Sequence, residues 1–336
     1  MYSYSILQWV FIFYFYCFFG WCFESAYVSI KSRRLVNRGF MRGPFLPIYG
    51  SGAIVMLVAS MPFQDNLVLV YLAGCVGATA LEYVTGVAME ALFKVRYWDY
   101  SKKRFNFQGH ICLSSTLAWG GLTILMTEVI HRPIERFVLS IPHQVLTVVT
   151  LVLTAGIFSD FALSFKAAMD LRDILVRMEK VKTEMVHIQK RLDVLIALTN
   201  EELSNIREEY NEKSAQWREE WSESLSSRME DMKLGVEERL ESIKEPLNRL
   251  WEESGQSARV EGMRQEWDSL RARYSKLVMN RENLGRVKDW FQKNMLRSNP
   301  TMYSVRFGEA LEELKRQVSE RLEQSEEKEE DREQEL

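Results

Sequence analysis

Glycine and proline are nearly missing from the second half of this 336-residue chain: residues 166–336 hold five glycines and two prolines. So few turn formers exclude a domain of many short strands and leave long helices as the expected structure. Cysteine is scarce as well. Cys17, Cys22, Cys75 and Cys112 all lie in apolar segments without CxxC spacing, which points to small packing residues and away from a disulfide scaffold or a metal site. There is no GxxxxGK[ST] phosphate loop, no HExxH and no GxSxG, and His110, His131 and His143 lack metal-ligand spacing. The expectation is a protein that is not an enzyme and holds no cofactor or metal. No Lys or Arg precedes the first apolar run, so that run is expected to remain as a membrane anchor and not to be cleaved as a signal peptide.

What is present divides into two polymers. Residues 1–165 carry 12 Lys/Arg and 8 Asp/Glu, whereas residues 166–336 carry 31 and 38. The first composition suits a bilayer and the second suits water, so the lipid bilayer is the first partner. An acidic second half makes nucleic acid a poor partner.

Five apolar stretches reach the length of about 20 residues that a hydrocarbon core requires, near 6–28, 44–61, 67–93, 111–128 and 143–165. The second is short and starts at Gly43-Pro44, which leaves room for a re-entrant turn at Pro44 and Pro47. The loops after the first and third stretches hold ten Lys/Arg; those after the second and fourth hold Arg132 and Arg136 alone. The positive-inside rule then places the N-terminus outside and the C-terminus inside. The fold class expected is all-α: a polytopic bundle of five membrane spans, N-out and C-in, multi-pass in the cell membrane, followed by a long cytoplasmic coiled-coil or helical domain.

Beyond the spans the apolar period changes. Leu171, Ile174, Met178, Val181, Met185, Ile188, Leu192 and Leu195 alternate at spacings of three and four, a heptad seam. The stripe continues from Leu203 to Leu247, a second one runs from Met263 to Phe291, and Phe307, Leu311, Leu314, Val318 and Leu322 mark a last helix after the Ser298-Asn299-Pro300 turn. The expected domains are a membrane bundle over 1–165, a stalk over 166–250, a helical hairpin or bundle over 256–322 and a disordered acidic tail over 323–336. A continuous stalk of eighty residues would extend about 120 Å; alternatively Pro246 and Pro300 fold the chain back as a hairpin or three-helix bundle. The bare seam is expected to make a homo-oligomer.

Chemistry is expected at the acids of the spans, because a carboxyl in hydrocarbon is costly. Glu82 is the deepest, near the middle of the third span, with Glu90 eight residues on and Glu24 at the inner end of the first. A wet cavity, a neutral acid or interfacial ion pairing explains each of them; without a Lys or Arg in any span, Glu82 has no cation beside it in sequence terms. Gly74, Gly77, Ala78 and Gly86 would allow that helix close contacts at the centre of the bundle. Asp160 lies near the inner end of the fifth span.

The inner loops have more texture than topology alone requires. Asn37-Arg38-Gly39-Phe40 precedes Gly43-Pro44, then Pro47-Ile48-Tyr49-Gly50; Trp98-Asp99-Tyr100-Ser101 precedes Asn106 and Gly109. With Gly20-Trp21, Glu24, Glu82 and Glu90, these motifs resemble, over the first 130 positions, the family named Putative ABC-transporter type IV, the CmpB-like permeases. Position 110 is His where that family's motif has Arg. The resemblance implies a permease whose path is lined by Glu82 and Glu90 and whose basic inner loops dock a separate ATPase subunit. The competing reading is a membrane-anchored structural or signalling scaffold that recruits cytosolic partners through the coiled coil.

Overall fold

The computed structural model describes residues 4–33, 35–204, 229–253, 258–285 and 290–320. The stripe positions from Ile206 to Leu225, Val287, the side chains of Leu203, Met229 and Phe291, Leu322 and the tail 323–336 lie outside the described residues. The chain forms two compact units, Met1–Asp173 with Val287–Leu336, and Ile174–Arg286.

The first unit contains the apolar helices. Helix α1 spans Ile6–Ser32, opened by a Ser5–Gln8 capping box, and α2 spans Pro47–Ser60 with Pro47 at its first turn, where the missing N–H is not needed. Helix α3 covers Leu67–Phe93 under an Asn66 cap, and α4 covers Leu113–Leu125. A π turn at Met126–Ile130 leads from α4 into α5, His131–Ser140. The chain therefore stays helical well past position 128, where the apolar stretch ends. The π turn lies just before Pro133, whose ring in a regular helix would meet the carbonyl of residue 129. Helix α6 is unbroken over His143–Ser204, so the fifth apolar stretch and the heptad seam share one helix.

Among the described residues four helices are long and apolar enough to cross a membrane, Ile6–Ser32, Leu67–Phe93, Leu113–Ser140 and His143–Thr199; Pro47–Phe63 is a shorter apolar helix. Their outer surfaces expose Phe23, Val76, Val84, Val152 and Phe158, an apolar coat that water would not tolerate at this density. The protein is a multi-pass membrane protein, nearly all-α. Among the described residues, the strands are those of a hairpin, β1 (Asn106–Phe107) paired antiparallel with β2 (Ile111–Cys112), between α3 and α4.

Small residues bring the helices together. At Gly50 an added Cβ would overlap the Cys17 thiol and the Phe13 carbonyl, so α2 rests directly on the backbone of α1. Gly74 faces Thr123 of α4 and Gly77 faces Val55 and Ala59 of α2, which sets α3 between them. At one end of the bundle Tyr4 and Tyr16 flank the buried His131, through Nε2 at 3.0 Å and Nδ1 at 2.9 Å, and the Tyr4 hydroxyl donates to Glu135 at 2.8 Å. The loops after α1 and α3 meet at the other end.

The first unit also contains two helices far along the chain. Helix α9 spans Trp290–Ser298, the turn Asn299–Pro300 ends it, and a last helix, α10, runs over 308–320. A residue before proline is turned away from helical geometry, which accounts for the stop at this position.

The second unit is a bundle made by the 174–204 part of α6, α7 (Met229–Glu253) and α8 (Ala258–Gly285). The seam residues Val181, Met185, Ile188, Leu192 and Leu195 share one core with Met232, Val236 and Leu240 of α7 and with Met263, Trp267 and Leu270 of α8. The seam is thus covered within the chain. Pro246 does not reverse the chain but lies inside α7, which continues to Glu253. Polar groups close the bundle: Arg239 donates to Asp193 at 2.6 Å, Arg191 pairs with Glu266, and Trp267 Nε1 donates to the Leu240 carbonyl at 3.2 Å.

Candidate functional site

Two polar clusters form where the loops meet. The first is built around Arg38, in the loop that follows α1. Its Nε lies 3.6 Å from Glu24 Oε1, and Glu24 Oε2 accepts the Tyr49 hydroxyl at 2.7 Å. Glu24 comes from the last turns of α1 and Tyr49 from the first turn of α2, and Gly20 leaves the space that the Tyr49 ring fills. Trp21 Nε1 donates to Asn37 Oδ1 at 2.6 Å, and Asn37 Nδ2 donates to the Arg42 carbonyl at 2.6 Å, which holds the loop as a closed curve. The Gly43 amide donates to Asp160 Oδ2 at 2.8 Å, tying the loop to α6. Asp160 therefore serves a backbone amide of the loop. Beside it lies a cavity of about 520 Å³ bordered by Arg42, Phe45, Asp160, Trp290 and Asn294, with the Arg42 guanidinium 4.1 Å from the Trp290 ring centroid.

The second cluster contains the two acids of α3, but with separate partners. Glu82 is buried and accepts from the Tyr100 hydroxyl at 3.0 Å, from Trp119 Nε1 at 3.0 Å and from the Ser115 hydroxyl at 3.4 Å. Its surroundings are side-chain donors, without a cation. Glu90 Oε2 meets Arg96 Nε at 2.9 Å and His110 Nε2 at 3.0 Å. Arg96 extends to Asp99 at 3.6 Å and to the Gln108 carbonyl at 3.1 Å.

The hairpin between α3 and α4 is held by its own side chains. Asp99 Oδ1 accepts from the Ser101 amide at 3.0 Å, and Asn106 donates to the carbonyls of Ser101 and Lys103. Trp98 Nε1 donates to the His110 carbonyl at 3.0 Å. Gln108 and Gly109 both have positive φ, the geometry of a tight hairpin turn, and a Cβ at Gly109 would meet Ser101, Arg96 and Asp99. Only glycine fits there.

Aromatic rings join the two loops from beneath. Phe40 lies 5.4 Å from Phe93, 6.1 Å from Tyr97 and 5.7 Å from Phe161 of α6, measured between ring centroids.

The residues from α9 onward were not legible as part of this site. Arg38 Nη1 donates to Asn299 Oδ1 at 2.9 Å and its Nη2 donates to Thr301 Oγ1 at 3.0 Å and to the Tyr97 carbonyl at 3.2 Å. Asn299 Nδ2 donates to the Gly39 carbonyl at 3.0 Å. Arg96 and Tyr303 exchange both backbone hydrogen bonds, and the Ser304 hydroxyl donates to the Lys94 carbonyl at 2.6 Å. Trp119 and Ser115 also belong to the site without a motif to announce them. Pro44 and Pro47 shape the entry to α2 and bring no polar group. Among the described residues no group of three or more His, Cys, Asp or Glu is placed to hold a metal ion.

Burial lowers the Arg38 pKa, and Glu24 opposes that shift. Burial, and then the adjacent Arg96 charge, also lower the His110 pKa, with Glu90 and Asp99 opposing. In the fold His110 is therefore held neutral, whereas the unfolded chain protonates it near its ordinary value of about 6.5. Its contribution to stability is full above that pH and is lost as the pH falls through it toward the lowered folded value. The thermal midpoint of the solubilised protein is expected to drop between pH 7.5 and 5.5, and His110→Gln to flatten that slope. Equal slopes in both proteins would remove His110 from the pH response.

Helices long and apolar enough to cross a membrane thus gather Arg, Glu, Tyr and Trp side chains into two loops at one end of the bundle. Residues 11–165 match the family model described as Putative ABC-transporter type IV, which is the family that the loop motifs resemble. Residues 166–336 lie outside that match. No curated protein and no solved structure matches the chain.

Proposed function

We propose that this protein is the membrane-embedded permease component of an ABC-type transporter and has no ATPase of its own, the nucleotide-hydrolysing subunit being a separate chain that docks on the loops after α1 and α3. The observation that carries this reading is the single loop face: Arg38 with Glu24 and Tyr49, and Arg96 with Glu90 and His110, are braced at one end of the family-matching segment. Rigid loops with fixed charges suit force transmission from a docked subunit better than mobile ones do. Five crossings, with α2 as the shortest, are read from the apolar stretches, and an outside N-terminus with a cytoplasmic loop face from the charge asymmetry. The pairing of Tyr4 with His131 at one end and of Arg38 with Tyr97 at the other agrees with helices that alternate in direction.

A second reading, a membrane-anchored scaffold, is favoured by the Ile174–Arg286 unit, which has its own core and lies outside the family match. The two readings separate on one experiment. The tagged full chain is solubilised in mild detergent, the co-purifying proteins are identified, and ATP hydrolysis is measured. A stoichiometric ATPase subunit supports the permease. Recovery of cytoskeletal or envelope proteins without ATPase activity would overturn it in favour of the scaffold.

A further inference from the structure

We infer that the loop face formed by Arg38, Gly39, Lys94, Arg96 and Tyr97 is a peptide-docking surface, and that the Ser298–Ser304 turn of the same chain is its resident, displaceable occupant, which shields the face from a cytosolic partner. The identity of that partner as a nucleotide-hydrolysing subunit rests on the permease reading above; the docking surface does not.

The contacts have the character of ligand recognition. Asn299 is read at both ends of its carboxamide, the oxygen by the Arg38 guanidinium and the nitrogen by the Gly39 carbonyl. Such a two-sided contact rejects Leu, which offers nothing to either end, whereas a carboxylate there keeps the bond from Arg38 and loses the one to Gly39. Thr301 Oγ1 fills the second prong of the Arg38 fork. Tyr303 then adds to the chain at Arg96 as a one-residue strand, with N···O distances of 2.6 Å and 2.9 Å, in the manner of an extended peptide that pairs with a free edge. Ser304 closes the far end on Lys94. Asn299, Met302 and Ser304 are each about 1% exposed, so the turn is inserted and not merely adjacent.

The receptor side and the occupant come from different parts of the chain. Arg38 and Gly39 lie in the family-matching segment, and the turn lies more than 130 residues beyond the end of that match. The occupant is also electrically weak: Arg38 meets only neutral acceptors from it, an amide oxygen, a hydroxyl and the Ser298 carbonyl at 3.4 Å. Hydrogen bonds from a guanidinium to a carboxylate are roughly twice as strong as those to neutral acceptors. A partner that presents a carboxylate in place of the Asn299 oxygen gains at Arg38, at the loss of one bond to Gly39, and is thus able to displace the turn.

The test uses the full chain in detergent and a fluorescent peptide of residues 296–306 as probe. In the wild-type chain the resident turn occupies the face; in Asn299→Ala it is weakened. The peptide is expected to bind Asn299→Ala at least tenfold more tightly than wild type, and a peptide with the same Asn replaced by Ala to bind neither. Equal binding of the peptide to both chains, or binding to neither, would overturn the docking surface. Thr301→Ala in the full chain provides a second variant, with the same direction of change, should Asn299→Ala not fold. For shielding, the ATPase subunit recovered with each chain is quantified. At least a fivefold greater recovery with Asn299→Ala supports it, and unchanged recovery overturns it. Absence of the subunit from both preparations refutes the permease reading and, with it, the named partner, while the peptide result still decides the docking surface.

Discussion

Replacing Arg38 by alanine is expected to destabilise the solubilised membrane unit by about 3 kcal/mol and to release the loop after α1 to protease. The side chain is 12% exposed and its partner Glu24 26%, so the ion pair is partly screened and does not carry the effect alone. The larger loss is the fork: Asn299, Thr301 and the Tyr97 carbonyl lose their donor together, and two of these three belong to the turn that closes the face. Arg38→Lys retains the charge but not the planar pair of donors, and is expected to recover less than half of the lost stability. Unfolding titrations of the three proteins provide the measurement. An alanine variant within 0.5 kcal/mol of wild type, on the order of a typical surface substitution, would show that the loops are held by other contacts.

Glu82→Leu is expected to cost about 4 kcal/mol, and Glu82→Gln about 1 kcal/mol, because each buried donor left without an acceptor costs about 1–3 kcal/mol. Leucine orphans the Tyr100 hydroxyl and the Trp119 N–H together. Glutamine is able to direct its carbonyl oxygen at Trp119, which can only donate, and its amide at Tyr100, whose hydroxyl can turn to accept. The gap between the two variants is thus a direct reading of the donor cage. Similar stabilities for Leu and Gln would mean that the carboxyl is satisfied by water and not by these side chains. Transport, once a substrate is in hand, is expected to fall further in Glu82→Leu than in Glu82→Gln.

The helices were legible because their signals are local. Apolar length marks α1, α3 and α6, and the Asn66 and Ser5 caps fix where two of them start. The second apolar stretch yields only the 14-residue α2 followed by a short 3-10 turn, since Pro62 cannot continue a regular ladder. The 171–195 seam was legible as a stripe, but a heptad stripe states only that something must cover it. That the cover is α7 and α8 of the same chain depends on pairings 40 to 90 residues apart, which periodicity does not encode.

The site divides in the same way. Glu24, Glu82 and Glu90 are visible as charges where charges are costly, and Arg38 through its loop motif. Their partners are not, because nothing in the sequence ties Trp119 to Glu82, 37 positions away, or Asn299 to Arg38, 261 positions away. Ser298-Asn299-Pro300 announces a turn, and turn chemistry carries no address. His110 stood out only as a departure from a motif, and the fold gives it a partner in Glu90.

The reading of the loops as a docking face for a cytosolic subunit requires that they lie inside the cell, and one measurement addresses that most directly. Single cysteines are placed at Asn66, Lys102 and Arg132 in a chain whose four native cysteines are replaced, and each is labelled with a membrane-impermeant maleimide in intact cells and again after permeabilisation. Labelling of Asn66→Cys and Arg132→Cys in intact cells, with Lys102→Cys labelled only after permeabilisation, is the expected pattern. Labelling of Lys102→Cys in intact cells, with Asn66→Cys and Arg132→Cys protected, would put Arg38, Arg96 and the turn docked on them outside the cell and contradict the proposed function.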